Sequence, residues 1–414
     1  MRRALFALGA AVITTAVLLP GAFGRSQATP GVTAKTVTLG GTFPLSGPAS
    51  SYAPIPAGMA AYFSYANATK GPDGKRGAGG RQIIWKYYDD GYNPAKTVER
   101  THQLVEQDHV FALVGGLGTE PQLAVRDYLN QQKVPQVYVS TGATQFGAKV
   151  ATFPWTIGWQ PDYQAEGAIY GKYIAANEPG AKIGVLYQND DYGKDYIAGL
   201  EAGLGAKKSQ IVDTAGYEVT NPSLLSQILE LRKAGTDTLM IFATPSPTIT
   251  AYATMAKIGW KPANIYVNSV SATQTFMGIA VKSAGAAEVN GSISTYYLKD
   301  PANPSWANTP GMKLYMQIMA KYAPSADPKN GLYFYGMAKA YDVVQQLRRA
   351  GGNLTRDSFM RSVRNSTLVG SPFTLPTVKT TTGPKDNFPI SQQRLIRFAD
   401  GAWTPFGPLL DPRK

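Results

Sequence analysis

Apolar positions along this chain switch repeatedly between two spacings. Residues 35–41, 110–114 and 135–139 form short apolar runs that suit buried strands, and residues 81–88 alternate. Between them, apolar residues recur every three or four positions. Residues 55–68 place Met59, Tyr62, Phe63 and Ala66 on one helical face. Residues 94–108 do the same with Val98, Leu104 and Val105, and Pro94 suits a first helical turn. Residues 120–133 read as a third helix, and residues 71–80 as a polar, Gly-rich turn. This succession predicts a mostly parallel sheet with right-handed crossovers.

The series resumes beyond residues 155–159. Helices are predicted at 163–177, 191–204, 223–234 and 247–257, and strands at 182–186, 211–218, 238–242 and 264–267. Gly259 and Pro262 mark a helix stop. The tail differs, with long helices at 310–322 and 330–350 and a shorter one at 355–363. Residues 378–385 are turn-like and 393–398 strand-like, with Asp400 and Gly401 placed to turn a hairpin into Trp403. Such a tail does not make a third domain of the same kind. It is expected to return and complete the first two.

Composition narrows the class. Residues 1–28 read as a cleavable signal peptide: Arg2 and Arg3, an uncharged apolar run from Ala4 to Leu19, then Pro20 and small residues. The expected protein is therefore periplasmic or secreted. The 414 residues include no cysteine, which closes lipid anchoring through a thiol and leaves core burial to hold the fold. About 385 residues after the leader are too many for one core and fit two. The net charge of +13 falls to +10 without Arg2, Arg3 and Arg25, and the remaining basic residues are scattered, which argues against nucleic acid as a partner.

Candidate chemistry sits on the turns that follow the strands. The runs TFPLSGP (42–48), GGLGTEP (115–121) and STGAT (140–144) carry Gly, Ser, Thr and Pro where strand ends meet helix starts. In an α/β sheet a ligand binds there, held by backbone N–H groups and small hydroxyls. Thr119 opens the helix at 120–133, Thr144 offers a hydroxyl, and Gly118 and Gly142 allow close backbone approach. Tyr52, just past the first loop, and Ala243 and Thr244, just past the strand at 238–242, face the same cleft by this logic. No Gly-x-Ser-x-Gly elbow, P-loop or credible triad occurs, so no catalytic residue and no cofactor are expected. His102 and His109 make a poor metal site. Asp89 and Asp90 read as turn-forming rather than as an acid–base pair.

In order along the chain, the runs GTFPLSGP (41–48), YDDGYNP (88–94), GGLGTEP, STGAT and DDYG (190–193) resemble those of ABC-transporter substrate-binding proteins of the branched-chain amino acid type. The resemblance covers nearly the whole chain after the leader. It implies a type I periplasmic binding fold: α/β, two lobes, each a mostly parallel sheet flanked by helices, joined by three hinge crossings. The crossings would lie near Gly158, near Ser292 and at 368–376. Lobe 1 would comprise 30–157 and 293–368, and lobe 2 would comprise 158–292 and 369–414.

The resemblance also implies a site. A ligand carboxylate would rest on lobe 1 against Gly116, Leu117, Gly118 and Thr119 and against Thr141, Gly142, Ala143 and Thr144. Tyr192 would cover the ligand from lobe 2. Two departures stand out. Gly118 stands where the family commonly has a serine. The lobe 2 position that pairs with an α-ammonium falls on Asn268 or Ser269, neither of them charged. A buried ammonium without a carboxylate is costly. Either the solute lacks an α-amine, or another acid such as Asp190 takes that role. The implied function is capture of a small amino acid, amide or carboxylate and its delivery to membrane permease subunits. A free-standing extracytoplasmic ligand sensor of the same fold stays open as the alternative.

Overall fold

The computed structural model describes residues 29–368, 370–384 and 386–412, so the expected leader at 1–28 lies outside the described residues. The chain begins with β1 (Thr36–Phe43), α1 (Pro54–Ala68), β2 (Gln82–Asp89), α2 (Pro94–His102), β3 (Ala112–Val114), α3 (Thr119–Gln131), β4 (Gln136–Val139), α4 (Gln145–Ala148) and β5 (Thr156–Gly158). The five strands form one parallel sheet in the order β2-β1-β3-β4-β5. Local sequence sets the helix starts: Pro54 opens α1, and the Asn93 side chain accepts from the N–H groups of Ala95 and Lys96 at the start of α2. The helix expected over 94–108 changes character at Gln103, where a π-helical turn runs to Gln107.

A second unit follows: α5 (Tyr163–Asn177), β6 (Ile183–Gln188), α6 (Asp191–Leu204), β7 (Ile211–Tyr217), α7 (Leu225–Lys233), β8 (Thr238–Phe242), α8 (Pro245–Lys257), β9 (Asn264–Val267), α9 (Gln274–Ala284), α10 (Ala286–Val289) and β10 (Ile293–Tyr296). Asp162 and Asp190 cap α5 and α6 through their side chains. These two helices pack closely. A Cβ on Gly167 or Gly171 of α5 would strike α6 backbone oxygens at 2.5 and 2.4 Å, so only glycine fits.

The remaining chain supplies α11 (Pro310–Tyr322), α12 (Gly331–Ala350), α13 (Arg356–Arg364), β11 (Thr367–Leu368), β12 (Thr380–Thr381), β13 (Gln393–Ala399) and β14 (Ala402–Leu410). The helices α11 to α13 bury Met312, Met337, Val343 and Phe359 in one core with Phe43, Met59 and Val137 of the first unit. The hairpin β13–β14 joins the second sheet, whose order is β14-β13-β10-β9-β8-β6-β7. β10 to β13 and β13 to β14 are antiparallel, and the other pairings are parallel.

Two expected boundaries move. The crossing placed near Ser292 falls after Tyr296, because β10 pairs with β9 and β13 inside the second sheet. The crossing placed at 368–376 falls near 391–392, because Phe373, Leu375, Val378 and Ile390 lie in the core of the first lobe. Six short elements (β5, β10, β11, β12, α4 and α10) and the longer α9 were not anticipated. The short ones span only two to four residues each, too few to display a period.

Candidate functional site

One cavity of about 130 Å3 lies between the two sheets, lined by both lobes and by the crossings. Its volume is roughly ten times what one water needs. Of the residues singled out in the sequence, Tyr52, Leu117, Gly118, Thr119, Tyr192, Thr244 and Ser269 line it. Tyr92, Tyr163, Tyr297 and Tyr335 line it as well, and sequence reasoning did not find them.

The lobe 1 side is built around the start of α3. Gly118 is the N-cap residue at φ +103°, a conformation that favours glycine, and no side chain caps the helix. Pro121 has no N–H, so the N–H groups of Thr119 and Glu120 are the unmatched donors of that first turn. The Thr119 and Thr141 hydroxyls share a hydrogen bond of 2.7 Å, and Ala143 N–H donates to Thr141 Oγ1 at 3.0 Å. Tyr92 reaches the cavity from a turn with φ +60°, an uncommon backbone for tyrosine. The two aspartates hold that turn. Asp89 accepts from Leu45 and Gly91 N–H at 2.8 and 2.9 Å, and Asp90 accepts from Tyr92 N–H at 2.9 Å. Burial pushes the Asp90 carboxyl up to about 6.

The remaining predicted residues stand behind the wall or at its edge. Gly116 packs on Gln122, where a Cβ would sit 2.5 Å from Oε1. Gly142 touches Pro161 and Tyr163. Thr141, Gly142 and Ala143 line a separate recess of about 10 Å3, room for one water. Thr144 spends its polar groups across the seam between lobes: Oγ1 donates to Asp162 at 2.6 Å and N–H donates to Asp195 at 2.8 Å. Ala243 is fully buried, with its carbonyl accepting from Ser271 Oγ at 2.6 Å. Asn268 is also fully buried, and its Nδ2 donates to the Tyr192 hydroxyl.

The seam is closed elsewhere too. Asp191 N–H donates to Glu120 at 3.0 Å, Gln145 Nε2 donates to Asp191 at 2.7 Å, and Ser51 and Ser246 share a hydrogen bond of 3.0 Å. Asp190, the acid considered as an ammonium partner, caps α6 by accepting from Tyr192 and Gly193 N–H and takes Gln188 Nε2 at 2.5 Å. It is absent from the cavity lining.

The phenols decide the chemistry of the cavity. Burial, reinforced by neighbouring tyrosines, holds Tyr52 and Tyr192 well above the usual tyrosine range, so both are neutral donors. Gln160 Nε2 donates to the Tyr163 hydroxyl at 3.1 Å, and Asn268 donates to that of Tyr192, which leaves both phenol protons unspent. The hydroxyls of Tyr52 and Tyr297 have no hydrogen-bond partner among the described residues. Behind them lies Lys339 of α12, which donates to the Ser140 and Tyr335 hydroxyls, both in the cavity lining. Burial pushes its ammonium well below the usual lysine range.

A carboxylate does approach the expected lobe 2 position, from an unexpected element. Glu166 of α5 is buried and accepts from Ser269 N–H at 2.7 Å, Ser269 Oγ at 2.6 Å and Tyr170 OH at 2.8 Å. It does not line the cavity. Among the described residues the only carboxylate that does is Asp300, which accepts from the N–H groups of Gln274 and Ala302, each at 2.9 Å. Among the described residues no cluster of His, Asp and Glu could hold a metal, and His102 is engaged by Glu106 at 2.7 Å.

Known proteins share this sequence pattern and geometry. A curated relative from Brucella abortus, Leu/Ile/Val-binding protein homolog 8, is 25% identical over 184 residues. That match takes in 44% of this chain and 44% of the relative, so the chain spans less than half the length of the curated relatives it matches. The structure of a branched chain amino acid ABC transporter from Thermus thermophilus with bound valine superposes with a TM-score of 0.76 at 18% identity, covering 91% of this chain and 96% of the other. A fatty acid ABC transporter substrate-binding protein from Thermomonospora curvata superposes with a TM-score of 0.72 at 20% identity, covering 92% and 94%. At those identities the two structures speak for the fold. The family model described as periplasmic binding protein matches residues 36–402. With a match of that extent over two lobes enclosing an aromatic cavity, the chain belongs to the periplasmic binding protein family, on the type I architecture.

Proposed function

We propose that this chain is the extracytoplasmic receptor of an ABC importer and captures a small solute bearing a carboxylate and no adjacent amine. The observation that supports this most is the face of unspent donors made by Tyr52, Tyr163, Tyr192, Tyr297 and the first turn of α3. A carboxylate entering there exchanges water for phenol and backbone donors, whereas an α-ammonium finds no carboxylate on that face, only phenol oxygens. Glu166 is already satisfied by Ser269 and Tyr170. The solutes named for the two structural neighbours, valine and fatty acid, share a carboxylate, which is consistent with the carboxylate half of this reading; valine also carries an adjacent amine.

Closure about the crossings buries the solute, and the seam bonds of Thr144, Glu120 and Gln145 hold the lobes together. The closed pair of lobes is the form a membrane permease would engage. A thermal-shift panel of amino acids, amides, polyamines and aliphatic or aromatic acids tests the reading on protein refolded free of co-purified ligand. At ~100 times Kd a ligand adds about 2.7 kcal/mol, a visible shift. Acids are expected to shift the melting point. A larger shift with leucine than with 4-methylpentanoate, its counterpart lacking the amine, would overturn the choice of solute. Binding without any chain-dependent uptake by cells would favour the ligand-sensor alternative.

A further inference from the structure

The cavity does not end at the phenols. Its lining also takes in an apolar stretch shared by the two lobes, Leu298, Trp306, Leu332, Ile396 and Trp403, here called the arm. The first three come from the second crossing and the lobe 1 helices, the last two from β13 and β14 of lobe 2. A site for a compact solute would fill this space with its own side chains. Here it is left open and walled by apolar and aromatic groups, which favour an apolar occupant over water.

Trp403 holds an independent sign of a ligand. It is 5% exposed, and its indole Nε1–H is buried with no hydrogen-bond partner among the described residues. The ring is fixed in place. It packs edge-on against Phe398 at 5.2 Å, and Asn303 Nδ2 donates to the Trp403 carbonyl at 3.1 Å. Buried indole donors ordinarily find an acceptor. Asp300, also in the lining, repels an anionic head and so favours a ligand with its carboxylate toward α3.

We infer that the solute is an extended amphipathic monocarboxylate: its head on the phenols and α3, its apolar or aromatic body along the arm, and a hydrogen-bond acceptor at the tail for Trp403. This rests on the carboxylate reading above. Because the arm is walled by both lobes, its occupant also bridges them, and body length then contributes to closure.

Calorimetric titration of three acids tests this: 4-methylpentanoate, 4-(4-ethylphenyl)butanoate and 4-(4-methoxyphenyl)butanoate. Both long acids are expected to bind at least about tenfold tighter than the short one, from the added apolar contact. Trp403→Phe keeps an aromatic ring, a smaller one, and removes the donor. It is expected to weaken the methoxy acid about fivefold and leave the ethyl acid within about twofold. Leu332→Trp fills the arm and is expected to abolish the advantage of both long acids while 4-methylpentanoate still binds, which also reports that the variant is folded. Equal affinity for short and long acids, unchanged by Leu332→Trp, would overturn the arm and leave the carboxylate reading standing. A methoxy acid indifferent to Trp403→Phe would overturn the tail acceptor. Failure of all three acids to bind the wild-type protein would overturn the carboxylate reading and this inference with it.

Discussion

Lys339 donates to the hydroxyl of Ser140, which in turn donates to the carbonyl of Gly115 at 2.6 Å. The cation thus lies one side chain behind the cavity wall, fully buried, with its ammonium 5.1 Å from the Trp159 ring centre and 4.4 Å from that of Tyr335. Asp342, one turn further along α12, is tied at 2.7 Å to the indole N–H of Trp159, and burial pushes its carboxyl up to about 7. The carboxyl does not contact the ammonium directly, so an anion in the cavity would add a counter-charge to Lys339.

A proton linkage follows. The folded-state pKa of Lys339 is depressed below its unfolded value, so the unfolded chain binds more protons in the window between them, and stability rises with pH there. A bound anion moves the folded value back up. Carboxylate binding is therefore expected to take up protons within that window, measured as a dependence of the calorimetric heat on buffer ionisation enthalpy. Lys339→Met is expected to lose this uptake and bind carboxylates about tenfold more weakly, without a large loss of stability, since a poorly paired buried charge contributes little to folding. Unchanged proton uptake in the variant would remove Lys339 from the site.

The phenols make a second prediction. Tyr52→Phe and Tyr297→Phe each remove an unpaired donor and keep the ring. Hydrogen bonds to a charged group are worth about 1.5–3 kcal/mol, so each change is expected to weaken a carboxylate ligand about tenfold or more. Thermal stability without ligand is expected to stay the same or rise slightly. A variant that melts much earlier, with affinity unchanged, would show the hydroxyl to be structural.

Thr144 separates closure from contact. Its hydroxyl bonds Asp162 across the seam rather than lining the cavity. Thr144→Ala is expected to weaken every ligand by the same factor, about threefold to tenfold, by removing one bond of the closed form. Small-angle scattering is expected to show a larger radius of gyration for the variant at sub-saturating ligand. Selective loss of one ligand would instead argue for direct contact.

Asp90 and Asp190 occupy matched positions on the two lobes. Each accepts from the N–H two residues on, that of Tyr92 and that of Tyr192, and burial pushes each carboxyl up to about 6. Folded values above the unfolded ones mean that each group stabilises the fold below the unfolded pKa and loses that contribution as pH rises through about 6. Denaturant midpoints of Asp90→Asn and Asp190→Asn, compared with wild type from pH 4 to 7, are expected to show wild type losing relative stability across that interval. The loss is on the order of 2 kcal/mol per group. A parallel pair of pH profiles would contradict it.

The strand-end loops were legible because their chemistry is local. Glycine at φ +103° followed by a helix-opening Thr119 declares itself in sequence, and Gly118 and Thr119 do line the cavity. Tyr163 and Tyr297 were not legible, since each looks like an ordinary aromatic beside an element end, and only the crossings bring them to face Tyr52. Lys339 left a signal that went unread. It stands with Asp342 in a stretch of α12 where Met337, Ala338, Ala340 and Val343 are also buried, and there a charged side chain needs a reason. Glu166 gave no such sign, because a single acid in the first turn of α5 reads as ordinary dipole compensation. The missing lobe 2 carboxylate was sought along β9, and tertiary packing supplied one from another helix.

The central claim is that the phenol end receives an anionic head without an adjacent amine. Paired calorimetric titrations of 4-methylpentanoate and leucine into protein refolded free of ligand test it most directly. The unspent donors of Tyr52, Tyr163, Tyr192 and Tyr297 require the acid to bind at least about tenfold more tightly, since a buried ammonium would meet no carboxylate on that face. Tighter binding of leucine would contradict that requirement and return Glu166 or Asp300 to the role of ammonium partner.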